Sequence, residues 1–305
     1  MELPFVTLDV FTTTRYRGNP LAVVTIPADS NPTQEQKQAI AREFNLSETV
    51  FIHDPSPDTD SDVTRRVIDI FTTDTEVPFA GHPTIGAAVT LIPKGVDTVI
   101  TKAGPIALIQ TRPGYIQAAI PHNVRCHHKT LADLYAPTPG QISQDPAIRE
   151  CELRAPLFSI VNGMTFALIE LPDLDHLGRV QTSGVSLPLD VLDNGWQNGL
   201  MCKYYYVING QREESNTTIY SIRSRMMEAA VEDPATGSAA SALSSYLSLQ
   251  QTSLSDHAFR YEIDQGVEMG RESNIVVDVE VKESKISTVK LSGTAVPVMR
   301  GHVSV

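Results

Sequence analysis

Two pairs of similar segments recur in the same order along the 305-residue chain, and this internal repeat limits the possible folds. Residues 18–27 and 163–172 share Gly, Ala and Pro at an offset of 145 residues. Residues 76–82 and 232–238 share the pattern Glu-x-Pro-x-x-Gly at an offset of 156 residues. The two offsets differ by the length of an ordinary loop insertion. The repeat therefore predicts two structurally similar halves.

Each Pro-x-x-Gly turn is expected to join a strand to a buried helix. The helices at 84–92 and 239–247 are rich in small residues and carry few charges, so we expect them to be buried on every side. Apolar, β-branched or alternating segments predict strands at 4–11, 18–27, 49–53, 66–71, 97–101, 115–120, 163–172, 204–208, 219–223, 274–281 and 287–291. The predicted fold class is α+β, with two pseudo-symmetric halves, each a rolled, mostly antiparallel sheet around a central helix.

Local signals predict one further helix and a domain boundary. An amphipathic helix is expected at 33–44, with Thr33 as its N-cap and Gln36 as the capping-box partner. The polar, proline-containing stretch 136–148 is interpreted as a linker. The predicted N-terminal half is 1–135, with the C-terminal strand as a candidate to complete it, and the predicted C-terminal half is 136–305.

Charge and cysteine content restrict the partners. With 24 Lys and Arg against 36 Asp and Glu, the formal charge is −12, which disfavours nucleic acid. The three cysteines show no CxxC spacing and are typical of reduced thiols in a cytoplasmic protein. Neither a signal peptide nor an apolar run of about 18 residues occurs, so no membrane association is expected.

The two helix starts are the first candidate binding elements. A helix N-terminus presents N–H groups without helical partners and a partial positive charge, which suit a carboxylate or a developing enolate. Gly81 and Gly237 would let a ligand approach the backbone, and His82 and Ser238 follow them at equivalent positions. The alternative for His82 is an ordinary histidine at a helix cap.

Two carboxylates are the other candidates. Asp233 precedes Pro234 and either binds an amino or hydroxyl group of a substrate or caps the second helix. Glu48 lies between the amphipathic helix and an apolar strand, where desolvation would make it a proton carrier. The alternative is that Ser47 and Glu48 belong to an ordinary turn.

Other chemistries have weaker support. Adjacent ligands in Cys126-His127-His128 do not easily close a tetrahedral metal site, so no metal is expected. No GxGxxG, Walker or GxSxG motif occurs, and no cofactor is expected. Ser-His-Asp catalysis by Ser238, His82 and Asp233 is disfavoured because Ser238 lacks a nucleophile elbow.

These motifs resemble those of the phenazine-biosynthesis PhzF-like family, which has the diaminopimelate-epimerase fold. The resemblance extends from about Asp9 to Gly301 and includes Asp9-Val-Phe-Thr, Gly18-Asn-Pro-Leu-Ala-Val-Val and Leu46-Ser-Glu-Thr-Val-Phe. It continues through Pro78-Phe-Ala-Gly-His-Pro-Thr-Ile-Gly, Glu232-Asp-Pro-Ala-Thr-Gly-Ser-Ala, Gln265-Gly and Gly270-Arg. The last two are interpreted as structural.

The resemblance implies an active site in a cleft between two pseudo-symmetric halves and no cofactor. By the same resemblance, Glu48 is the proton-shuttling carboxylate, and His82, Asp233 and Ser238 are its substrate-binding and catalytic partners. Gly81 and Gly237 would supply backbone contacts to the substrate. The epimerase relatives of the family place a cysteine in each half, whereas this chain has His82 and Ser238 at the helix starts, which disfavours racemisation by thiols.

One position departs from the family pattern. Thr73-Asp74 replaces the usual Pro-Arg, so the edge of the substrate pocket is expected to differ. We expect a cofactor-independent isomerase acting on a small anionic amino or hydroxy cyclic acid, compatible with a homodimer. Two alternatives stay open: a protein that binds a small molecule without turnover, and an epimerase that uses Glu48 opposite a residue near Cys202 and Lys203.

Overall fold

The computed structural model describes residues 1–55, 62–134, 137–251 and 256–305. The chain forms two compact units: unit 1 comprises Met1–Ile120 and Leu291–Val305, and unit 2 comprises Pro121–Lys290. Both contain α-helices and a mixed sheet, so the α+β class is confirmed. None of the helices in the described ranges is long and apolar enough to span a membrane.

The elements follow one another in chain order. Up to residue 120 they are β1 (Glu2–Val10), β2 (Asn19–Ile26), α1 (Gln34–Phe44), β3 (Thr49–His53), β4 (Arg65–Phe71), β5 (Glu76–Val77), α2 (Gly81–Leu91), a 3₁₀ turn (Ile92–Lys94), β6 (Thr98–Thr101), β7 (Gly104–Arg112) and β8 (Tyr115–Ala119). They continue with β9 (Arg125–Thr130), a 3₁₀ turn (Leu131–Asp133), α3 (Pro146–Arg154), β10 (Pro156–Val161), β11 (Met164–Glu170), α4 (Leu174–Arg179) and a 3₁₀ turn (Leu189–Val191). The last are β12 (Leu200–Glu214), β13 (Thr217–Glu228), β14 (Val231–Asp233), α5 (Gly237–Gln250), β15 (Asp256–Gln265), β16 (Ser273–Lys282), β17 (Lys285–Gly293) and β18 (Ala295–Ser304).

In unit 1 the strands pair in a continuous ladder that includes the C-terminal strand. Strands β18, β1, β2, β3 and β4 pair with one another in that order. Strand β4 also pairs with β5 and with β6, β6 pairs with β7, and β7 pairs with β8. The β2–β3 and β4–β6 pairings are parallel and the others are antiparallel. Helix α2 contacts β18 and β1 near one end of this ladder and β8 at the other, so the sheet rolls around the helix.

Close packing of α2 requires a residue without a side chain. A Cβ at Gly86 would lie 2.3 Å from Leu21 Cδ2 and 3.0 Å from Val10 Cγ2. Leu21 and Val10 therefore point to the inner face of the sheet, which is the face toward the central helix. Phe51 and Phe71 point to the outer face, where they form a cluster with Ile40 of α1 and other apolar residues.

In unit 2 the parallel and antiparallel strand pairings occur in the same order as in unit 1. Strands β9, β10, β11, β12 and β13 pair with one another in that order. Strand β13 also pairs with β14 and with β15, and β15 pairs with β16. Only β11–β12 and β13–β15 are parallel among these pairings. Helix α5 contacts β10, β11, β15 and β16 on the inner face. Helices α3 and α4 cover the outer face through Ile148, Cys151 and Leu177.

Several local predictions are confirmed by the structure. Thr33 caps α1, and its side chain accepts a hydrogen bond from the Gln36 backbone N–H, while the Gln36 side chain accepts one from the Thr33 N–H. Most residues of α2 and α5 are buried, as their small, uncharged composition predicts. The three cysteines are free thiols, with Cys126 exposed and Cys151 and Cys202 buried.

The compact units divide the chain elsewhere than the predicted boundary. Residues 135 and 136, which flank that boundary, lie outside the described residues. The residues on both sides belong to unit 2, because β9 pairs with β10 across this segment. Part of the predicted linker is helix α3, capped by Asp145, and Gln141, Ile142 and Ile148 are buried.

The Cys126-His127-His128 segment of β9 holds loop 192–194 through hydrogen bonds to Asp193. The Asp193 backbone N–H donates to His127 Nδ1 at 3.2 Å, so the neutral imidazole carries its hydrogen on Nε2, which lies 2.9 Å from Ser159 Oγ. The Asp193 carboxylate accepts from Arg125 and lies 3.1 Å from His128 Nδ1. Among the described residues, no group of three or more side chains could hold a metal ion.

Substitutions at two helical glycines test the packing of α2. We expect Gly86→Ala to lower the free energy of unfolding by about 1–3 kcal/mol, because the added methyl overpacks the core. Gly178 of α4 is the matched control, since a Cβ there meets no atom within 4 Å. Gly178→Ala should raise the free energy of unfolding by about 0.5–1 kcal/mol through helix propensity alone. Denaturant unfolding measures both, and a Gly86→Ala protein as stable as Gly178→Ala contradicts this packing.

Acid should destabilise the fold through His127. Burial lowers the pKa of His127 below its ordinary value of 6.5, although the Asp193 carboxylate opposes the shift. Below about pH 6.5, His127 binds a proton more readily in the unfolded chain than in the folded chain. The free energy of unfolding therefore falls as the pH drops below about 6.5. His127→Gln should reduce the loss in unfolding free energy between about pH 7.5 and 5.5. His302→Gln, at an exposed site on β18 in unit 1, should leave the loss unchanged; equal losses in all three proteins contradict the assignment.

Candidate active site

Glu48 and His82 meet at the start of helix α2. Glu48 immediately precedes β3 and shares the inner-face parity of Val50, because side chains alternate along a strand. His82 is the second residue of α2. The distance from His82 Nδ1 to Glu48 Oε2 is 3.6 Å, and the side chains are 5% and 20% exposed respectively. A partly exposed carboxylate thus lies beside a buried imidazole, an arrangement suited to proton transfer.

The start of α2 has no side-chain cap. Its N-cap is Ala80, whose carbonyl accepts from the Thr84 backbone N–H and from Thr84 Oγ1 at 2.8 Å. The N–H groups of the first turn have no helical acceptor, so they suit a negatively charged group. Gly81 is buried at this turn. The candidate residues Gly81, His82 and Glu48 therefore lie together in unit 1.

In unit 2, Asp233 ends strand β14 on the inner face. Asp233 pairs with Met226, which pairs with Tyr204 on the next strand. The half-buried Asp233 carboxylate accepts a hydrogen bond from Thr236 Oγ1 at 2.5 Å. The N-cap of α5 is Thr236, not Asp233, because Pro234 and Ala235 extend the turn before the helix begins.

The other two candidates of unit 2 begin helix α5. Gly237 is its first residue and is buried, and Ser238 is its second and is half-buried. The Thr236 cap makes no side-chain hydrogen bond to the helix backbone, so this first turn also presents N–H groups without helical acceptors. Ser238 occupies the same position in α5 that His82 occupies in α2.

The surroundings of Asp233 keep nearby groups neutral. Burial, together with the charges of Glu228 and Asp233, raises the pKa of the Cys202 thiol well above its ordinary range. Burial likewise raises the pKa of the Tyr204 hydroxyl, and the Asp233 charge adds to the effect. Cys202 therefore remains a thiol and Tyr204 a hydrogen-bond donor at neutral pH.

Lys203, the neighbour of Cys202, points to the outer face. Its Nζ lies 2.9 Å from Glu152 Oε1 of α3, and both side chains are buried. The Tyr205 hydroxyl donates to the same Glu152 oxygen at 2.5 Å. Lys203 thus belongs to a buried ion pair on the face opposite to Asp233.

Three polar residues behind Asp233 were not singled out by sequence reasoning: Thr236, Tyr204 and Ser224. Thr236 follows Asp233 by three residues, and a hydroxyl at that spacing is a recognisable turn signal. Tyr204 and Ser224 carry no such signal, because only the pairing of β12 with β13 brings them to 2.9 Å. Gln265 was interpreted as structural from its motif, and its side chain contacts Thr236.

The unusual Thr73-Asp74 pair lies in the turn between β4 and β5. Thr72 closes this turn, because its N–H and hydroxyl both donate to Thr75 O. Gln38 and Arg42 of α1 donate to the carbonyls of Thr72 and Thr73. Helix α1 therefore sets the position of this turn from the outer face of the sheet.

Known proteins are similar to this chain over nearly its whole length. The family model described as phenazine biosynthesis-like protein matches residues 8–301. An uncharacterized isomerase of Mesorhizobium japonicum is 31% identical, with 97% of this chain and 96% of the relative covered. The trans-2,3-dihydro-3-hydroxyanthranilate isomerase of Pseudomonas fluorescens is 30% identical over 98% of both chains.

A solved structure supports the fold. The crystal structure of a PhzF-family phenazine biosynthesis protein from Bacillus anthracis has a TM-score of 0.73 at 21% identity and covers 100% of both chains. The family match spans nearly the whole chain, and curated full-length relatives are named isomerases. The chain therefore belongs to the phenazine biosynthesis-like protein family, PhzC-PhzF, and is an enzyme of the isomerase class.

Proposed function

We propose that this protein is a cofactor-independent isomerase that moves a proton within a small anionic amino or hydroxy cyclic acid. The observation that carries the proposal is the Glu48 carboxylate, partly exposed and 3.6 Å from His82 Nδ1 at the start of α2. A binding protein has no evident need for a carboxylate at this position, whereas a proton carrier must be both accessible and held in place.

In the proposed reaction, Glu48 removes a proton from an activated carbon, and the electron pair of that C–H bond enters the conjugated system. The same carboxyl group then returns the proton to a different carbon, so a double bond migrates and no atom is gained or lost. A positioned carboxylate contributes about 10²–10⁴-fold to such a transfer. His82 holds the Glu48 carboxylate through the 3.6 Å contact between His82 Nδ1 and Glu48 Oε2. The N–H groups of the first turn of α2 stabilise negative charge that develops on the substrate.

Asp233, Ser238, Gly81 and Gly237 are proposed to bind the substrate. Asp233 would accept hydrogen bonds from an amino or hydroxyl group, supported by its half-buried position and its orientation by Thr236. Ser238 would contribute a hydroxyl, and Gly81 and Gly237 backbone N–H groups. The carryover of these roles is supported by the family match over residues 8–301.

The substrate class is supported by the names of relatives. The P. fluorescens relative is named for trans-2,3-dihydro-3-hydroxyanthranilate, which makes such a compound the first to test. Because the formal charge is −12, an anion would depend on local N–H groups rather than on the field of the whole protein. The Thr73-Asp74 turn is proposed to alter the preference among such acids.

We also propose that the two units are pseudo-symmetric, that the protein is cytoplasmic and that it forms a homodimer. Pseudo-symmetry of the two units is supported by their shared order of parallel and antiparallel pairings. A cytoplasmic location is supported by three free thiols. A homodimer is compatible with the fold.

Replacement of Glu48 tests the proposed proton transfer. Trans-2,3-dihydro-3-hydroxyanthranilate is incubated in deuterated water, and deuterium uptake and absorbance are followed. We expect Glu48→Gln to lower turnover and deuterium uptake by about 10²–10⁴-fold, because the amide cannot carry the proton. Glu43→Gln is the matched control, since Glu43 is an exposed residue near the end of α1. It should retain native activity.

The alternatives give different results in the same assay. Binding of the compound by both native protein and Glu48→Gln, with no turnover by either, supports a binding protein and contradicts the proposal. Deuterium incorporation at a stereocentre without double-bond migration supports an epimerase. Absence of both binding and turnover rejects this substrate, and related cyclic acids are then tested.

Replacement of Cys202 tests the epimerase alternative separately. The raised pKa of its thiol keeps Cys202 protonated at neutral pH, so it cannot accept the substrate's proton, and Cys202→Ala should keep kcat within a few-fold of the native value. Lys203 is unsuited to this role because it pairs with Glu152 on the outer face. Loss of deuterium uptake in a folded Cys202→Ala protein, checked by thermal unfolding, contradicts the single-carboxylate mechanism.

A further inference from the structure

The side-chain amide of Gln265 is fully engaged at the turn that carries Asp233. Gln265 is the last residue of β15 and has no exposed surface. Its Nε2 donates to the Asp233 carbonyl at 2.8 Å and to Thr236 Oγ1 at 3.0 Å. Its Oε1 accepts from the Thr236 backbone N–H and from the Tyr204 hydroxyl, each at 3.2 Å. All four hydrogen-bonding positions of the amide are thus used.

The orientation of this amide is determined by backbone groups. A carbonyl oxygen only accepts hydrogen bonds and a backbone N–H only donates them. Nε2 must therefore face the Asp233 carbonyl, and Oε1 must face the Thr236 N–H. Tyr204, which stays protonated because burial raises its pKa, donates to the same Oε1.

A fixed amide also fixes the Thr236 hydroxyl. Because Thr236 Oγ1 accepts from Gln265 Nε2, its own hydrogen is directed to Asp233 Oδ2, 2.5 Å away. The hydrogen bonds run in one direction from Gln265 through Thr236 to Asp233. Removing the Gln265 N–H groups would free the Thr236 hydroxyl to rotate and would weaken its hold on the Asp233 carboxylate.

The neighbouring glycine makes this contact possible. Gly266 has a φ of +73°, and a Cβ there would lie 2.6 Å from Pro234 O and 2.7 Å from Arg271 O. Only glycine lets the end of β15 approach the turn between Asp233 and α5 so closely. Gly266 therefore allows the close approach, and Gln265 makes the hydrogen bonds to this turn.

We infer that Gln265 is a positioning residue for Asp233: acting through Thr236, it orients the carboxylate that binds the substrate. The inference rests on the proposed function, because it concerns how the proposed substrate-binding group is held. It goes beyond a stabilising role, since it assigns Gln265 an effect on catalysis that the fold alone does not require.

Variants at Gln265 and Thr236 test this inference. Gln265→Met removes the amide at similar volume, and Gln265→Glu keeps the acceptors but lacks the donors. Thr236→Val removes the bridging hydroxyl, and Thr236→Ser retains it. Gln141→Met is the matched control, because Gln141 is another buried glutamine of unit 2 whose amide bonds to Thr138 N and Ser186 O.

We expect Gln265→Met, Gln265→Glu and Thr236→Val to lower kcat/KM by about 10–100-fold, with a clear rise in KM, because a disoriented Asp233 binds substrate poorly. Thr236→Ser should recover near-native values, and Gln141→Met should be native. Adding Gln265→Met to Thr236→Val should cause little further loss, since both act through one hydroxyl. Native kcat and KM in a folded Gln265→Met protein overturn the inference.

Crystal structures of native and Gln265→Met protein supply a readout that does not depend on activity. A changed Asp233 rotamer or loss of the Thr236–Asp233 hydrogen bond in the variant supports the positioning role. If the Asp233 rotamer and the Thr236–Asp233 hydrogen bond are the same in both crystals, the inference is overturned. This outcome can be read even if the native protein turns over no tested substrate. Failure of the proposed function appears differently, as an inactive native protein. If Gln265→Met does not fold, Gln265→Glu decides the question by the same kinetic and crystallographic comparison.

Discussion

Burial of one small-residue helix inside a rolled sheet is the constraint on which each unit depends. Helix α2 contacts strands near both ends of its ladder, and Gly86 lies so close to Leu21 that no side chain fits between them. This packing fixes where the helix begins. The first turn of α2, with its N–H groups and His82, is thereby held next to Glu48 at the start of β3.

Alternation along the strands then decides which groups are available for chemistry. Glu48 and Cys202 point to the inner faces of their sheets, whereas their neighbours Thr49 and Lys203 point to the outer faces. This separation places Lys203 in an ion pair with Glu152 and leaves Cys202 beside acidic groups that keep it protonated. A shift of one residue in strand register would exchange the two sets of side chains.

The second carboxylate is held by hydrogen bonds from several parts of unit 2. Asp233 ends β14, Thr236 caps α5 and Gln265 ends β15. Their hydrogen bonds are either buried or half-buried, where an unmade bond is costly, so the group is expected to keep one arrangement. A carboxylate held in this way needs little reorganisation when a substrate binds.

Local sequence patterns predict the α+β class, the capped helix α1, the buried central helices and the positions of the candidate motifs. These follow from local rules: Thr33 and Gln36 are three residues apart, and small uncharged residues identify α2 and α5. The contacts between distant residues arise only in the folded chain: β18 lies beside β1, His82 beside Glu48 and Gln265 beside the turn that carries Asp233. Such contacts depend on strand pairing and on the face that each side chain takes, and no local spacing encodes either of them.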